Sequence, residues 1–134
     1  MTPEGRVKAA ILRYLERRGF FAWNNPSGTV RITPEGWLHF GKKGSVDILG
    51  CLPGGKLLAV EVKSITGRLS PEQSVFLEKV RGLGGVAVVV KSMRELDEAL
   101  RREGYADDGP LFEGEEQYSR HCKTMAINSL GVSL

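Results

Sequence analysis

Two short apolar runs joined by a tight turn constrain this chain more than any other feature. The runs are Ser45-Val46-Asp47-Ile48-Leu49 and Leu57-Leu58-Ala59-Val60-Glu61-Val62-Lys63, with Pro53-Gly54-Gly55 between them. A three-residue loop containing Gly is a common hairpin connection. Closing it with Leu52 opposite Lys56 fixes the register of everything that follows, and Asp47 then falls directly across from Glu61. Their Cβ atoms are expected roughly 4.5–5.5 Å apart. Lys63, two residues further on, leans from the same face. Val46 and Ile48, with Leu58, Val60 and Val62, are expected on the other face, building the core. A one-residue slip would separate the two acids.

Like charges directly opposite one another destabilise a sheet, so something must offset them. A divalent cation does so: Mg²⁺ is usually held by one or two carboxylates together with water and substrate phosphates. The ammonium of Lys63 adds positive charge at the same place. An isolated Glu-x-Lys on a strand reads as a solvated ion pair. The upstream Asp47, the turn and the register together favour a site for a hard cation and a phosphate instead.

The chain has 134 residues, enough for one domain with a real core. Hydrophobic residues at 41% and charged residues at 26% are the proportions of a globular protein rather than a disordered or membrane one. No run of about 18 apolar residues occurs, so no membrane span is expected. Residues 1–6 lack the apolar segment of a signal peptide. Cys51 and Cys122 form no disulfide pattern, so a reducing, cytoplasmic setting is expected. The net charge of +3 is unevenly spread: residues 1–91 are basic and residues 92–134 acidic. The segment bearing Asp47, Glu61 and Lys63 therefore suits a polyanionic partner, although solubility alone accounts for such charge equally well.

Helical spacing of Val7, Ile11, Tyr14 and Leu15 predicts a helix from Glu4 to Arg18, stopped by Gly19. Short β runs follow at 20–23, 29–32 and 37–40, separated by turns at 24–28 and 34–36. Ser70, Pro71 and Gln73 are an N-cap, a first-turn proline and a capping-box partner for a second helix. The run 86–90, Val86-Ala87-Val88-Val89-Val90, reads as a strand buried on both faces. A third helix is predicted over 92–102. This order implies an α/β fold, a central mixed β-sheet flanked by helices. Past residue 104, Tyr118, His121, Cys122 and Met125 share a helical face, and the extension 105–134 is expected to pack on the domain or on a dimer interface.

The stretches Gly44-Ser45-Val46-Asp47, Glu61-Val62-Lys63 and Gly67-Arg68-Leu69-Ser70-Pro71-Glu72-Gln73 resemble the VRR-NUC domain. This is the virus-type replication-repair nuclease branch of the PD-(D/E)XK superfamily, found also as small stand-alone proteins in phages and bacteria. The resemblance covers roughly residues 4–103 and implies a restriction-endonuclease-like core over 1–104. In it, Asp47 corresponds to the family's motif Asp, Glu61 to the second metal-binding acid and Lys63 to the catalytic lysine. Gln73 corresponds to the glutamine on the following helix, with the helix cap as its equally weighted alternative. Glu4 matches the acid on the first helix that extends the metal site, with Glu16 as competitor. The turn from Asn25 to Gly28 is similar to the family's asparagine–glycine segment. Two departures stand out: Val46 replaces the usual Pro before the motif Asp, and Asn24 stands where an Arg is common.

The resemblance implies Mg²⁺ or Mn²⁺ held by Asp47, Glu61 and the backbone carbonyl of Val62, one or two ions in number. It implies phosphodiester hydrolysis with Lys63 positioning water or stabilising the phosphate. Lys42, Lys43 and Arg68 flank the site as candidate phosphate contacts. The activity implied is a metal-dependent DNA endonuclease acting on branched or four-way-junction DNA in repair, as a homodimer. The alternatives are a non-catalytic nucleic-acid-binding module on the same fold and an interaction protein working through the acidic tail. Trp23 and Trp37 suit base stacking less well than packing. His121-Cys122 lacks metal-ligand spacing.

Overall fold

The structure, a computed structural model, describes residues 2–106; most of the predicted extension lies outside them. Three helices and six strands follow in the order α1 (Pro3–Arg17), β1 (Phe21–Asn24), β2 (Gly28–Arg31), β3 (Trp37–Phe40), β4 (Ile48–Cys51), β5 (Leu57–Val62), α2 (Pro71–Gly82), β6 (Val86–Val90) and α3 (Met93–Arg102). Four strands form one mixed sheet in the order β1-β4-β5-β6. Its first two pairings are antiparallel and β5–β6 is parallel. Strands β2 and β3 make a separate antiparallel pair.

Side-chain alternation along β5 divides the core into two layers. Leu58, Val60 and Val62 meet Ile11, Tyr14 and Leu15 of α1 and Leu96 and Leu100 of α3 on one face. Ala59 meets Leu77 and Val80 of α2 on the other. The sheet is thus sandwiched between helices, which is the predicted α/β architecture of a restriction-endonuclease-like core. No helix among the described residues is long and apolar enough to cross a membrane.

The hairpin has the expected register. Ile48 pairs with Val60 and Cys51 with Leu57, and the Leu52 N–H donates to the Lys56 carbonyl at 2.8 Å. Three expectations need correction. Asp47 sits in a bend just before β4 rather than within the strand. The chain turns there, so Val46 packs on the α2 face with Ala59 and Leu77, not beside Ile48. And β6 is buried on both faces only in part: Val86 and Val90 are buried on one face and Ala87 on the other, but Val89, on this edge strand, is 38% exposed.

Trp23 and Trp37 also depart from the packing role. Trp23 is 41% exposed on edge strand β1, its ring 5.2 Å from that of Phe21. Trp37 is 57% exposed on the β2–β3 pair, with the Arg31 guanidinium over its ring.

Candidate active site

The end of the β4–β5 hairpin remote from its turn gathers the predicted charged groups. Antiparallel hydrogen bonds alternate along a ladder, and beyond the Ile48–Val60 pair the side chains take them over. The Asp47 N–H donates to Glu61 Oε2 at 3.1 Å, and the Val62 N–H donates to Asp47 Oδ2 at 2.9 Å. Each acid therefore accepts a backbone hydrogen of the strand bearing the other. Lys63 lies beside Glu61, with Nζ 3.3 Å from Oε1. Asp47, Glu61 and Lys63 converge as the register predicts.

The bend that carries Asp47 is held by Asn25. Its amide Nδ2 donates to Ser45 Oγ at 2.6 Å and to the Val46 carbonyl at 2.9 Å. Its backbone N–H donates to the Asp47 carbonyl at 2.8 Å. Three contacts on three successive residues fix the direction in which the Asp47 side chain leaves the chain.

Gln73 makes both the helix-cap contacts and a contact to Glu61. Ser70 caps α2, accepting from the Gln73 N–H at 3.1 Å, while Gln73 Oε1 accepts from the Ser70 N–H at 3.0 Å. That leaves the amide nitrogen to turn outward, and Gln73 Nε2 donates to Glu61 Oε1 at 3.0 Å. A capping box uses only the oxygen of its glutamine, so the same side chain can orient an acid.

Glu61 is 2% exposed. Burial pushes its carboxyl pKa up, the neighbouring charge of Asp47 pushes it further, and Lys63 pulls partly back. A buried carboxylate beside a second carboxylate is the arrangement a cation relieves.

Helix α1 reaches the same end of the sheet. Glu4 Oε1 accepts the Ser64 N–H at 3.1 Å, directly after Lys63. Glu16 is exposed near the other end of α1, about 18 Å away along the axis, so Glu4 is the acid placed at the site. One turn beyond Glu4 stands Lys8, with Nζ 3.0 Å from Asp47 Oδ1. Sequence reasoning missed Lys8, since a lone lysine on an amphipathic helix reads as solvated. The signal that could have found it was its spacing: residues four apart share a helical face, so whatever places Glu4 at the site places Lys8 near it. Lys42, Lys43 and Arg68 are exposed, and Lys43 makes a long 3.9 Å ion pair with Glu72.

Among the described residues, no group of three or more His, Cys, Asp or Glu side chains is arranged to hold a metal ion. Glu4 therefore does not complete a three-acid cluster. Two carboxylates suffice for Mg²⁺, which keeps most of its water and takes further ligands from a phosphate. The oxygen-only donor set of Asp47 and Glu61, two like charges side by side, fits such an ion.

A mixed sheet between helices, with two acids and a lysine at the end of its central hairpin, defines the restriction-endonuclease-like class. Within that class, the family model of the VRR-NUC domain matches residues 35–94. The matched span contains Asp47, Glu61, Lys63 and Gln73 and begins after α1, β1 and β2. No curated protein matches the chain. A VRR-NUC domain implies nuclease activity, and nucleases of this family generally act on DNA with divalent metals.

Proposed function

We propose that this chain is a Mg²⁺- or Mn²⁺-dependent endodeoxyribonuclease that cuts branched or four-way-junction DNA in repair, working as a homodimer. The observation that carries the reading is the mutual lacing of Asp47 and Glu61 through each other's strands, which holds two like charges together at a place a cation would stabilise. Residues 1–104 are the nuclease unit in this reading, and 105–134 an extension to it.

Asp47 and Glu61 would hold the ion, with the backbone carbonyl of Val62 as a further donor. When bound, the ion neutralises the scissile phosphate and lowers the pKa of a water. Lys63, tethered beside Glu61, directs a positive charge at the developing phosphate charge or orients the attacking water. Gln73 keeps Glu61 turned toward the site. Glu4, anchored on Ser64, is the acid that would widen the site for a second ion. Lys42, Lys43 and Arg68 contribute affinity for the phosphate backbone without sequence readout.

The test is cleavage of linear, flap and four-way-junction substrates by the full-length protein with Mg²⁺, with Mn²⁺ and with chelator. Cation-dependent cutting, strongest on branched DNA and lost in Asp47→Ala and Lys63→Ala, is the expected result. Binding of all substrates without cutting under any cation would instead establish a nucleic-acid-binding module.

A further inference from the structure

The two acids of the site are balanced by two lysines, one for each. Lys63 faces Glu61 and Lys8 faces Asp47. The two pairings differ in what surrounds them. Both Glu61 oxygens accept hydrogens from uncharged N–H groups, Oε2 from Asp47 and Oε1 from Gln73. Asp47 Oδ2 likewise accepts from Val62. Asp47 Oδ1 is different: its contact among the described residues is the Lys8 ammonium at 3.0 Å. The carboxylate oxygen held by neither a backbone nor an amide donor is the one open to an incoming cation, and a tethered cation already sits on it.

We propose that Lys8 is a built-in competitor of the divalent ion: it holds Asp47 in place before metal arrives and swings off Oδ1 when the ion binds. The inference rests on the reading of Asp47 as a cation ligand. The Lys8 side chain is 31% exposed, so its flexible stem has open space into which the ammonium can move, where solvent hydrates it. Its place on α1, one turn from Glu4, ties the exchange to the helix that Glu4 pins to Ser64. Lys63 does not share this role, because it directly follows β5 and Glu61 is oriented by Gln73 independently of it.

The experiment is Mn²⁺ binding to the full-length, DNA-free protein, followed by calorimetry and by the loss of the free-ion paramagnetic signal. Thermal unfolding is recorded with chelator and with saturating Mn²⁺. Lys8→Met is expected to bind Mn²⁺ about two- to fivefold more tightly, the scale of removing one partly exposed ion pair. It should also melt lower than wild type with chelator and approach wild type with Mn²⁺. Lys8→Arg, which keeps the competing charge and guards against a folding defect in the Met variant, should bind Mn²⁺ close to wild type. Lys56→Met, at the turn end of the hairpin, controls for net charge and should leave affinity unchanged. Unaltered or weaker binding in Lys8→Met overturns the exchange and makes Lys8 part of the support of the site. Asp47→Asn identifies a different failure: if it binds Mn²⁺ as well as wild type, Asp47 is no ligand, and the exchange falls with that reading rather than on the behaviour of Lys8.

Discussion

Asp47 and Glu61 are held together by each other's backbone: the Asp47 N–H donates to the Glu61 carboxylate, and the Asp47 carboxylate accepts from Val62, the residue after Glu61. Strand pairing would normally supply such bonds from main-chain carbonyls. Here two carboxylates do so, and the gain from those charge-assisted bonds offsets their repulsion. Those bonds, with Lys63 and Lys8 beside the two acids, hold the pair in the fold, and in the proposed reading the cation is what cleavage requires.

That separation predicts the behaviour of Asp47→Asn. The side-chain amide oxygen can still accept from Val62, so stability with chelator should stay within about 1 kcal/mol of wild type, the ordinary range for a substitution that keeps the shape and one bond. Cleavage with Mg²⁺ should fall by at least about 100-fold, because a neutral amide is a poor ligand for a hard cation. Urea unfolding alongside a plasmid-nicking assay reads both. Loss of stability in step with activity would mean that Asp47 acts as a structural residue.

The double duty of Gln73 can be divided by two substitutions. Gln73→Ala removes the cap contact and the donor to Glu61, with a stability cost of about 1 kcal/mol and a loss of activity. Gln73→Glu keeps the capping oxygen but places a third carboxylate against Glu61. Its stability should be close to wild type at acidic pH and poorer at neutral pH, with activity reduced as in the Ala variant. If Gln73→Glu cleaves like wild type while Gln73→Ala does not, the cap alone matters.

Much of this site was legible because its geometry is local. The turn Pro53-Gly54-Gly55 sets the hairpin register, and the register places residues 47 and 61 opposite one another without knowledge of anything else in the fold. Ser70 and Gln73 were legible for the same reason, as a cap is written within four residues. What the sequence hid depends on long-range placement. Lys8 meets Asp47 only because α1 packs across the sheet end. Val46 changes faces only because Asn25, from a distant turn, captures its carbonyl and bends the chain. Val89 is exposed on a strand that lies at the sheet edge, a position that no run of five apolar residues encodes.

Two glycines, one close to the site and one at the hairpin turn, should respond differently to alanine. Gly55 in the hairpin loop has φ +82, and a Cβ added there would meet no atom of the described residues within 4 Å. Its substitution costs only the conformational strain, about 1–2 kcal/mol. Gly44 has φ +78, and a Cβ there would lie 2.6 Å from Glu72 Cβ and 2.8 Å from the Glu72 backbone. Gly44→Ala must displace either the first turn of α2 or the segment leading to Asp47. A cost above about 3 kcal/mol and a loss of cleavage are expected, against near-normal cleavage for Gly55→Ala. Denaturation midpoints and nicking rates compare the two. Equal costs would show that Gly44 makes no close approach to α2.

Tyr14 supplies a pH dependence independent of the active site. Its hydroxyl is buried between α1 and α3, donating to Asp97 Oδ1 at 2.6 Å and accepting from Arg18 Nη1 at 2.9 Å. Burial, then the bond to Asp97, push its pKa up to about 12, against a smaller opposite pull from Arg18. The unfolded chain titrates near about 10. A folded pKa above the unfolded one means that the neutral hydroxyl stabilises the fold fully below about pH 10, and that this stability is lost as pH rises from there through about 12. The loss amounts to about 2–3 kcal/mol, following the free-energy equivalent of such a shift. Tyr14→Phe should be less stable at neutral pH by about 1–3 kcal/mol, since Asp97 and Arg18 each lose a buried partner. It should lack the alkaline decline due to this group, so the two proteins converge near the folded pKa. Urea unfolding at neutral pH and at two alkaline values bracketing the titration measures the difference directly, and the difference removes the lysines, which titrate in both proteins alike. A gap that stays constant across that range would show that the Tyr14 hydroxyl does not titrate in the fold as its contacts require.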